Sequence, residues 1–210
     1  MNYIVGLSGT HGTGKSTIIR GVKEAGYPVV ETSLAREAQK ALGWTVLSEA
    51  EKSVENMWLL QEAILSAMFI RDEAIHKSGI VTLVERTPAD VWAYTAMWCK
   101  RLNINTFENW HAKMYYARCQ AMARNYALFL QVPIVEEVPF VAEPNRADLT
   151  SRRLVEFTID NFIGCGGWPS YKIKSINECA RVEDTIAAID DCCIHKEEKY
   201  DRKESLSTNA

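Results

Sequence analysis

Gly9-Thr10-His11-Gly12-Thr13-Gly14-Lys15-Ser16 is the stretch on which the reading of this chain turns. It fits the pattern G-x-x-x-x-G-K-[S/T] at every fixed position. A short apolar run stands before it, Tyr3-Ile4-Val5 and Leu7, with strand character. Behind it Ile18, Ile19, Val22 and Ala25 recur at helical spacing, and Gly26 ends that helix. Strand, glycine-rich turn and helix in that order make a phosphate-binding loop. The glycines let the chain wrap so that successive backbone N–H groups converge on an anion, and the helix start adds its positive dipole end. Gly9, His11, Gly12, Thr13, Gly14, Lys15, Ser16 and Thr17 are therefore assigned to nucleotide binding. Lys15 is expected at the β and γ phosphates, and the Ser16 hydroxyl on Mg2+.

Working outward, Tyr27-Pro28-Val29-Val30 reads as a second strand and Leu34 to Leu42 as a short helix stopped by Gly43. Ser48 and Glu51 fit a capping box, so a long helix is expected from there to about Lys77. Ile80 to Val84 is an almost wholly apolar third strand. Thr87-Pro88 has the form of a helix start, Thr as cap and Pro in first position, with a helix to about Leu102 and another over about 106–125. Ala127 to Val132 is a fourth strand. Residues 133–150 carry three prolines and four acidic residues without a period and read as a loop. Ser151 to Phe162 is helical, Tyr171 to Ile176 is a fifth strand, and Glu183 to Cys192 is a last helix. Alternating strands and helices predict an α/β protein of the P-loop NTPase fold, a five-stranded parallel sheet with helices on both faces and a small lid. Residues 1–194 are expected to form this domain, with the lid at about 133–153, and 195–210 a charged, disordered tail.

The bulk composition sets limits. A chain of 210 residues suits one domain. A net charge of -3 gives no overall pull toward nucleic acid or membrane. The six cysteines form no C-x-x-C pair and read as reduced thiols. The first nine residues have no basic stretch of a signal peptide, and no apolar run reaches the roughly 20 residues of a membrane span. The expected location is cytoplasmic.

A phosphate loop fixes the nucleotide and leaves the reaction open. The chain has no N-K-x-D element for guanine and no L-S-G-G-Q element of ABC-type ATPases. A motor or ring ATPase usually carries a second domain, for which the length is too short. The kinase pattern remains. Glu85, at the carboxyl end of the third strand, can hold the magnesium shell. Arg86 beside it brings a positive charge to the reacting phosphates; the plain alternative is a salt bridge capping the strand. Glu31 ends the second strand and can serve as base for an acceptor hydroxyl, or else is a surface residue. Arg36, a turn further on, can neutralise phosphate or pair with Glu31. Arg146 and Arg152 belong to an arginine-rich segment suited to a lid that closes over the transferring phosphate, or else to a solvated helix start.

Two further segments carry a resemblance: Pro28-Val29-Val30-Glu31-Thr32-Ser33-Leu34-Ala35-Arg36-Glu37 and Glu85-Arg86-Thr87-Pro88-Ala89-Asp90-Val91-Trp92-Ala93-Tyr94. With the phosphate loop they resemble the small P-loop kinase group. That group includes the ribosylnicotinamide kinase domain of the NadR type and, more distantly, deoxynucleoside and thymidylate kinases. Virus-encoded kinases of nucleotides or modified DNA bases are also similar. The resemblance implies ATP and Mg2+ as cofactors. It places Glu31 where deoxynucleoside kinases carry their base and matches Glu85-Arg86 to their E-R-S or D-R element, with Thr87 in place of Ser.

For the acceptor, Trp58, Gln61, Tyr94 and Trp98 are candidates to line the crevice, or are core residues at helical spacing. Between Val91 and Val135 the only acidic residue is Glu108, while Lys100, Arg101, Lys113, Arg118 and Arg124 are interleaved with Trp110, Tyr115, Tyr116 and Tyr126. That mixture suits a nucleic-acid strand or a solvated helix face over buried aromatics. Three functions follow: a kinase of a free nucleoside, nucleotide or ribosylnicotinamide; a kinase of 5-hydroxymethyluridine in DNA; and a P-loop NTPase or switch module. The expected partners are ATP and a small nucleoside- or nucleotide-like molecule or a modified base in DNA. No membrane partner is expected, and a homodimer is an allowed assembly.

Overall fold

The computed structural model describes residues 3–31, 33–136 and 149–207, with side chains omitted at Leu149 and beyond Cys192. Its centre is a sheet of five strands: β1 (Ile4–Ser8), β2 (Val29–Val30), β3 (Thr82–Glu85), β4 (Tyr126–Gln131) and β5 (Ser170–Lys172). Their order is β2-β3-β1-β4-β5, and every neighbouring pair is parallel. β1 is central and all five of its residues are buried. That is why its sequence is a continuous apolar run and not an alternation.

Helices cover both faces, as the alternation of elements predicts. On one face α1 (Lys15–Glu24) and α7 (Glu178–Ser207) pack Ile18, Ile19, Val22 and Ile189 against Val5, Leu7, Leu83 and Leu130. On the other, α3 (Val54–Ser78), α4 (Pro88–Arg101), α5 (Trp110–Ala123) and α6 (Leu149–Gly166) bury a larger cluster against Ile4, Val84 and Phe129. A short helix α2 (Leu34–Ala41) and a 3-10 turn (Leu47–Glu51) lie against α3. Gly6 lets the cap of α4 pack close on β1: a Cβ there would sit 2.5 Å from Thr87 Cγ2 and 2.8 Å from Tyr126 Cδ1.

Element ends differ from the sequence reading for local reasons. The cap of α3 is Ser53, whose hydroxyl accepts from Asn56 N, and not Ser48, which lies within the 3-10 turn. Thr87 caps α4 as expected, and Asp90 completes the capping box with Pro88 in the first turn. α7 starts earlier than Glu183 because the Asn177 side chain accepts from Cys179 N and Ala180 N. It also runs on through Ser207, so most of the segment read as a disordered tail continues this helix. Lys, Glu and Arg there are good helix formers. The expected lid falls largely on 137–148, outside the described residues, and Arg146 with it.

Parallel strands end together, and this edge carries the site. The register sets Leu7 beside Glu85 and Ser8 beside Gln131. β2 and β3 pair Val30 with Val84, so the next step places Glu31 level with Glu85.

Candidate active site

The loop between β1 and α1 folds as its glycines allow. Gly14 is left-handed, with φ 87°, and is the residue from which α1 starts. A Cβ at Gly9 would lie 2.5 Å from Val132 O, so only glycine lets the loop leave β1 this close to β4. Lys15 is 4% exposed. Its Nζ donates to Thr10 O at 2.5 Å and to Thr13 Oγ1 at 3.5 Å, and the Thr13 hydroxyl donates to Thr10 O at 2.9 Å. The ammonium is thus held inside the curve of the loop. Ser16 is exposed and Thr17 half-buried on the first turn of α1.

Arg86 follows Glu85 at the end of β3 and takes φ 68°, unusual for a non-glycine residue. Its Nη1 donates to Gly9 O at 3.1 Å and to Asp90 Oδ1 at 3.2 Å, and its guanidinium lies 5.0 Å from the Tyr94 ring centroid. Burial alone would lower its pKa; Tyr94, Asp90 and Glu85 more than reverse that and hold it above the ordinary value. Tyr94 also reaches the loop, its hydroxyl accepting from His11 N at 3.0 Å.

Asp90, which the sequence reading did not single out, is fully buried and ties these parts together. It accepts from Ser8 Oγ at 2.7 Å, Gly9 N at 3.0 Å, Thr87 N at 3.0 Å and Thr87 Oγ1 at 2.9 Å, besides Arg86. One carboxylate therefore caps α4, holds the start of the loop and orients Arg86. The capping pattern Thr87-x-x-Asp90 was the signal that could have found it.

A second buried network lies behind Arg86. Arg71 of α3 donates from Nη1 to Glu85 O at 2.8 Å and to Arg86 O at 3.2 Å, from Nε to Asp72 Oδ1 at 2.9 Å, and from Nη2 to Tyr126 OH at 2.7 Å. The Tyr126 hydroxyl donates to Asp72 Oδ2 at 3.0 Å. Burial raises the pKa of Asp72, while Arg71 beside it works in the other direction. This network holds the carbonyls on either side of the left-handed turn. Nothing in the sequence pattern reports it, because Arg71 and Asp72 sit on an ordinary helical stretch.

Two more arginines bond the loop from outside. Arg152 of α6, 3% exposed, donates from Nε to His11 O at 3.1 Å and from Nη2 to Gly12 O at 3.3 Å. Arg181 of α7, 6% exposed, donates from Nη1 to Thr13 O at 2.7 Å. Burial lowers the pKa of both, against the pull of Glu156 and Tyr94 on the first and Glu178 on the second. The start of α6 is tied to the segment after β4 by Ile134 N donating to Glu156 Oε1 at 2.7 Å and by the Arg153–Glu136 pair at 2.9 Å.

The structure thus brings Lys15, Arg86 and Arg152 onto one loop, with Glu85 beside it. Glu31 stands at the same sheet edge, exposed, and pairs with Lys23 of α1 at 2.9 Å. Among the described residues no hydrogen bond or ion pair joins it to Glu85, Arg86 or the loop. Arg36 is exposed on α2. Of the crevice candidates, Tyr94 reaches the loop. Trp58 is buried and stacked on His111 with ring centroids 4.1 Å apart, and Gln61 is buried and accepts from Thr95 Oγ1. Trp98 packs against the core on α4. Tyr115 and Tyr126 of the basic-aromatic stretch are core residues, and Tyr116 packs against Trp92 and Phe162. Trp110 is exposed, and Arg118 pairs with Glu62.

Among the described residues no three His, Cys, Asp or Glu side chains cluster to hold a metal. A nucleotide-borne Mg2+ needs less, since phosphates and waters fill most of its shell. The exposed Ser16 and the edge carboxylate Glu85 fit that demand. Beyond the loop, an open cleft of about 360 Å³ is lined by Pro133, Ile134, Val135 and Glu136 on one side and by Lys172, Ile173, Lys174 and Ile176 on the other.

Fold and loop together define a P-loop protein of the small-kinase fold. The chain belongs to the AAA domain family, whose model matches residues 4–158. Its backbone is similar to that of the NadR protein in complex with NR, with a TM-score of 0.61 at 15% identity over 90% of this chain. The chain spans 50% of that protein's length. It is equally similar to deoxyadenosine kinase from M. mycoides, solved with dCMP and a flexible dCDP and also with dCTP. There the TM-score is 0.61 at 11% identity, over 90% of this chain and 99% of the kinase. The resemblance to small P-loop kinases seen in the sequence therefore holds at the level of the fold. No curated protein matches the sequence.

Proposed function

We infer that this protein is an ATP-dependent kinase that moves the γ-phosphoryl group to a hydroxyl of a nucleoside- or nucleotide-like acceptor. The observation that carries the reading is the convergence of Lys15, Arg86 and Arg152 on one phosphate loop, beside a sheet edge that ends in Glu85 and Glu31. Lys15 and Arg86 suit a triphosphate whose charge shifts during transfer, Arg152 holds from outside the loop that cradles it, and a carboxylate at the edge suits activation of a hydroxyl. The loop amides and Lys15 bind the phosphates, and Arg86 neutralises charge on the moving group. The apolar walls of the open cleft, Ile134, Ile173 and Ile176, suit the flat adenine base. Ser16, with Glu85 directly or through water, would hold Mg2+, which would supply charge neutralisation across the phosphates.

Glu31 takes the role of base. The acceptor oxygen bonds to the γ-phosphorus as the bond to the bridging oxygen of ADP breaks, and the hydroxyl proton passes to the Glu31 carboxylate. Its pairing with Lys23 is no obstacle. Both side chains are at least half exposed, and such pairs contribute only about 0–1 kcal/mol. Arg146 and the lid over about 133–153 would close on the transferring group. The reaction suits a cytoplasmic protein; among the described residues no helix is long and apolar enough to cross a membrane.

A DNA-borne acceptor such as 5-hydroxymethyluridine is the second reading. Tyr115 and Tyr126 do not support it, since both are buried, but Phe107 and Trp110 are 86% and 73% exposed, next to the exposed Lys113. The family name also leaves room for an NTPase. The test is transfer of label from γ-labelled ATP to a panel of nucleosides, nucleoside monophosphates, ribosylnicotinamide, and duplex DNA with and without 5-hydroxymethyluracil. Label on a free small molecule supports the first reading, and label on the modified DNA alone supports the second. Inorganic phosphate without any labelled acceptor would contradict both.

A further inference from the structure

Five consecutive carbonyls of the loop, Gly9 to Thr13, each accept a hydrogen bond from a cationic side chain. Arg86 takes Gly9 O, Lys15 takes Thr10 O, Arg152 takes His11 O and Gly12 O, and Arg181 takes Thr13 O. Of these cations, Arg181 stands farthest from the rest in sequence, on the opposite face of the sheet from α4 and α6. It is there because α7 is drawn onto α1. Gly21 has no side chain, and a Cβ there would lie 2.6 Å from Val182 Cγ2, so Val182 seats directly on α1. Its neighbour Arg181 then turns back to the loop. Nε donates to Ser175 O at 2.8 Å and fixes the fork, and Nη1 reaches Thr13 O. Nη1 also lies 3.3 Å from where a Cβ on Gly14 would stand.

The peptide bonds among the described residues are trans. In a trans peptide the C=O of one residue and the N–H of the next point in opposite directions. Holding Thr13 O outward therefore aims the Gly14 N–H inward, just as Arg152 aims those of Gly12 and Thr13. An arginine bonded this way stabilises the inward amide without touching what the amide binds.

We propose that Arg181 is a positioning residue for phosphate binding, which keeps the Thr13–Gly14 peptide turned so that its N–H faces the anion. This rests on the loop binding a nucleoside triphosphate. Arg181 then acts on the phosphates of the ligand and not on its base or ribose. A direct contact with the base or ribose is the competing role, since Nη2 is buried without a partner among the described residues.

Titration calorimetry with tripolyphosphate, ATP and adenosine on the full chain separates these. Arg181→Gln is expected to weaken tripolyphosphate and ATP by the same factor, about ten-fold or more, and to leave adenosine unchanged. Arg181→Lys keeps a cation but makes only one of the two bonds, and recovers part of the loss; it serves alone if Arg181→Gln does not fold. Ile189→Ala loosens the core contact further along α7 with Arg181 and Val182 intact. It is expected to lower Tm while leaving tripolyphosphate affinity within about two-fold. The proposal is overturned if tripolyphosphate binding is unchanged in the Arg181 variants, if only ATP and adenosine weaken, or if Ile189→Ala weakens tripolyphosphate as much as Arg181→Gln does. A wild-type chain that binds neither ATP nor tripolyphosphate would overturn the loop assignment itself, and this role with it.

Discussion

Lys15 and Glu31 are the residues where the account is most exposed to test. The Lys15 ammonium is held by loop oxygens and so is already placed where phosphates would meet it. Lys15→Ala should abolish phosphoryl transfer in a coupled ADP assay while leaving the unfolding midpoint close to wild type, and retained turnover would remove the loop assignment. Glu31→Gln separates a base from a surface carboxylate. As base, its loss should cut kcat about 100-fold or more while KM for ATP stays within about two-fold. An unchanged kcat would leave Glu31 as no more than the partner of Lys23. The sequence made both residues visible because each stands at a place fixed by strand and motif. For Asp90 the local pattern Thr87-x-x-Asp90 signals only a helix cap, and its hold on the loop is a contact 81 positions away. Arg181 was not visible at all, because its role comes from a contact 168 positions away, which no local pattern encodes.

At the scale of elements, the site depends on how α3 and α4 meet the end of β3. Arg71 and Asp72 have side chains only 5% and 3% exposed, and Arg71 bonds the carbonyls of both Glu85 and Arg86. Removing one partner of such a buried pair strands the other. Arg71→Leu should therefore destabilise the fold by about 3 kcal/mol or more in urea unfolding. A loss under about 1 kcal/mol would mean that the network adds little. Helix starts show what local sequence can and cannot tell. Thr87-Pro88 was legible because cap and proline both act within one turn. Ser48 and Ser53 each precede a helical stretch, and only the 3-10 turn over Leu47–Glu51 shows which of them caps α3. The length of α7 was missed because its charged second half has helix-forming residues but no apolar period.

Across the whole molecule, the five-stranded parallel sheet and both covered faces followed from the alternation of apolar runs and amphipathic stretches, while the strand order β2-β3-β1-β4-β5 came from the structure. The aromatic residues of α5 and β4 did not. Basic and aromatic residues mixed along a chain look alike whether the rings face a ligand or the core, and here Tyr115 and Tyr126 serve the core. The larger core also holds Cys99, fully buried, whose thiol is pushed by burial from an ordinary 9.0 to about 11. The folded state thus keeps a proton that the unfolded chain gives up above pH 9. Stability from this group is full below that pH and is lost as pH rises toward about 11. Cys99→Ala should flatten the fall in Tm across that window, and an unchanged slope would show that the thiol does not contribute.

The central claim is transfer rather than hydrolysis, and acceptor-dependent release of ADP tests it most directly. With Mg2+ and ATP present, ADP formation should be near background without an acceptor. It should rise on adding the correct hydroxyl compound, matching phosphorylated product mole for mole, and vanish in Lys15→Ala. ADP formed at the same rate with every acceptor and with none, all of it accompanied by inorganic phosphate, would contradict the kinase reading and make the protein an NTPase.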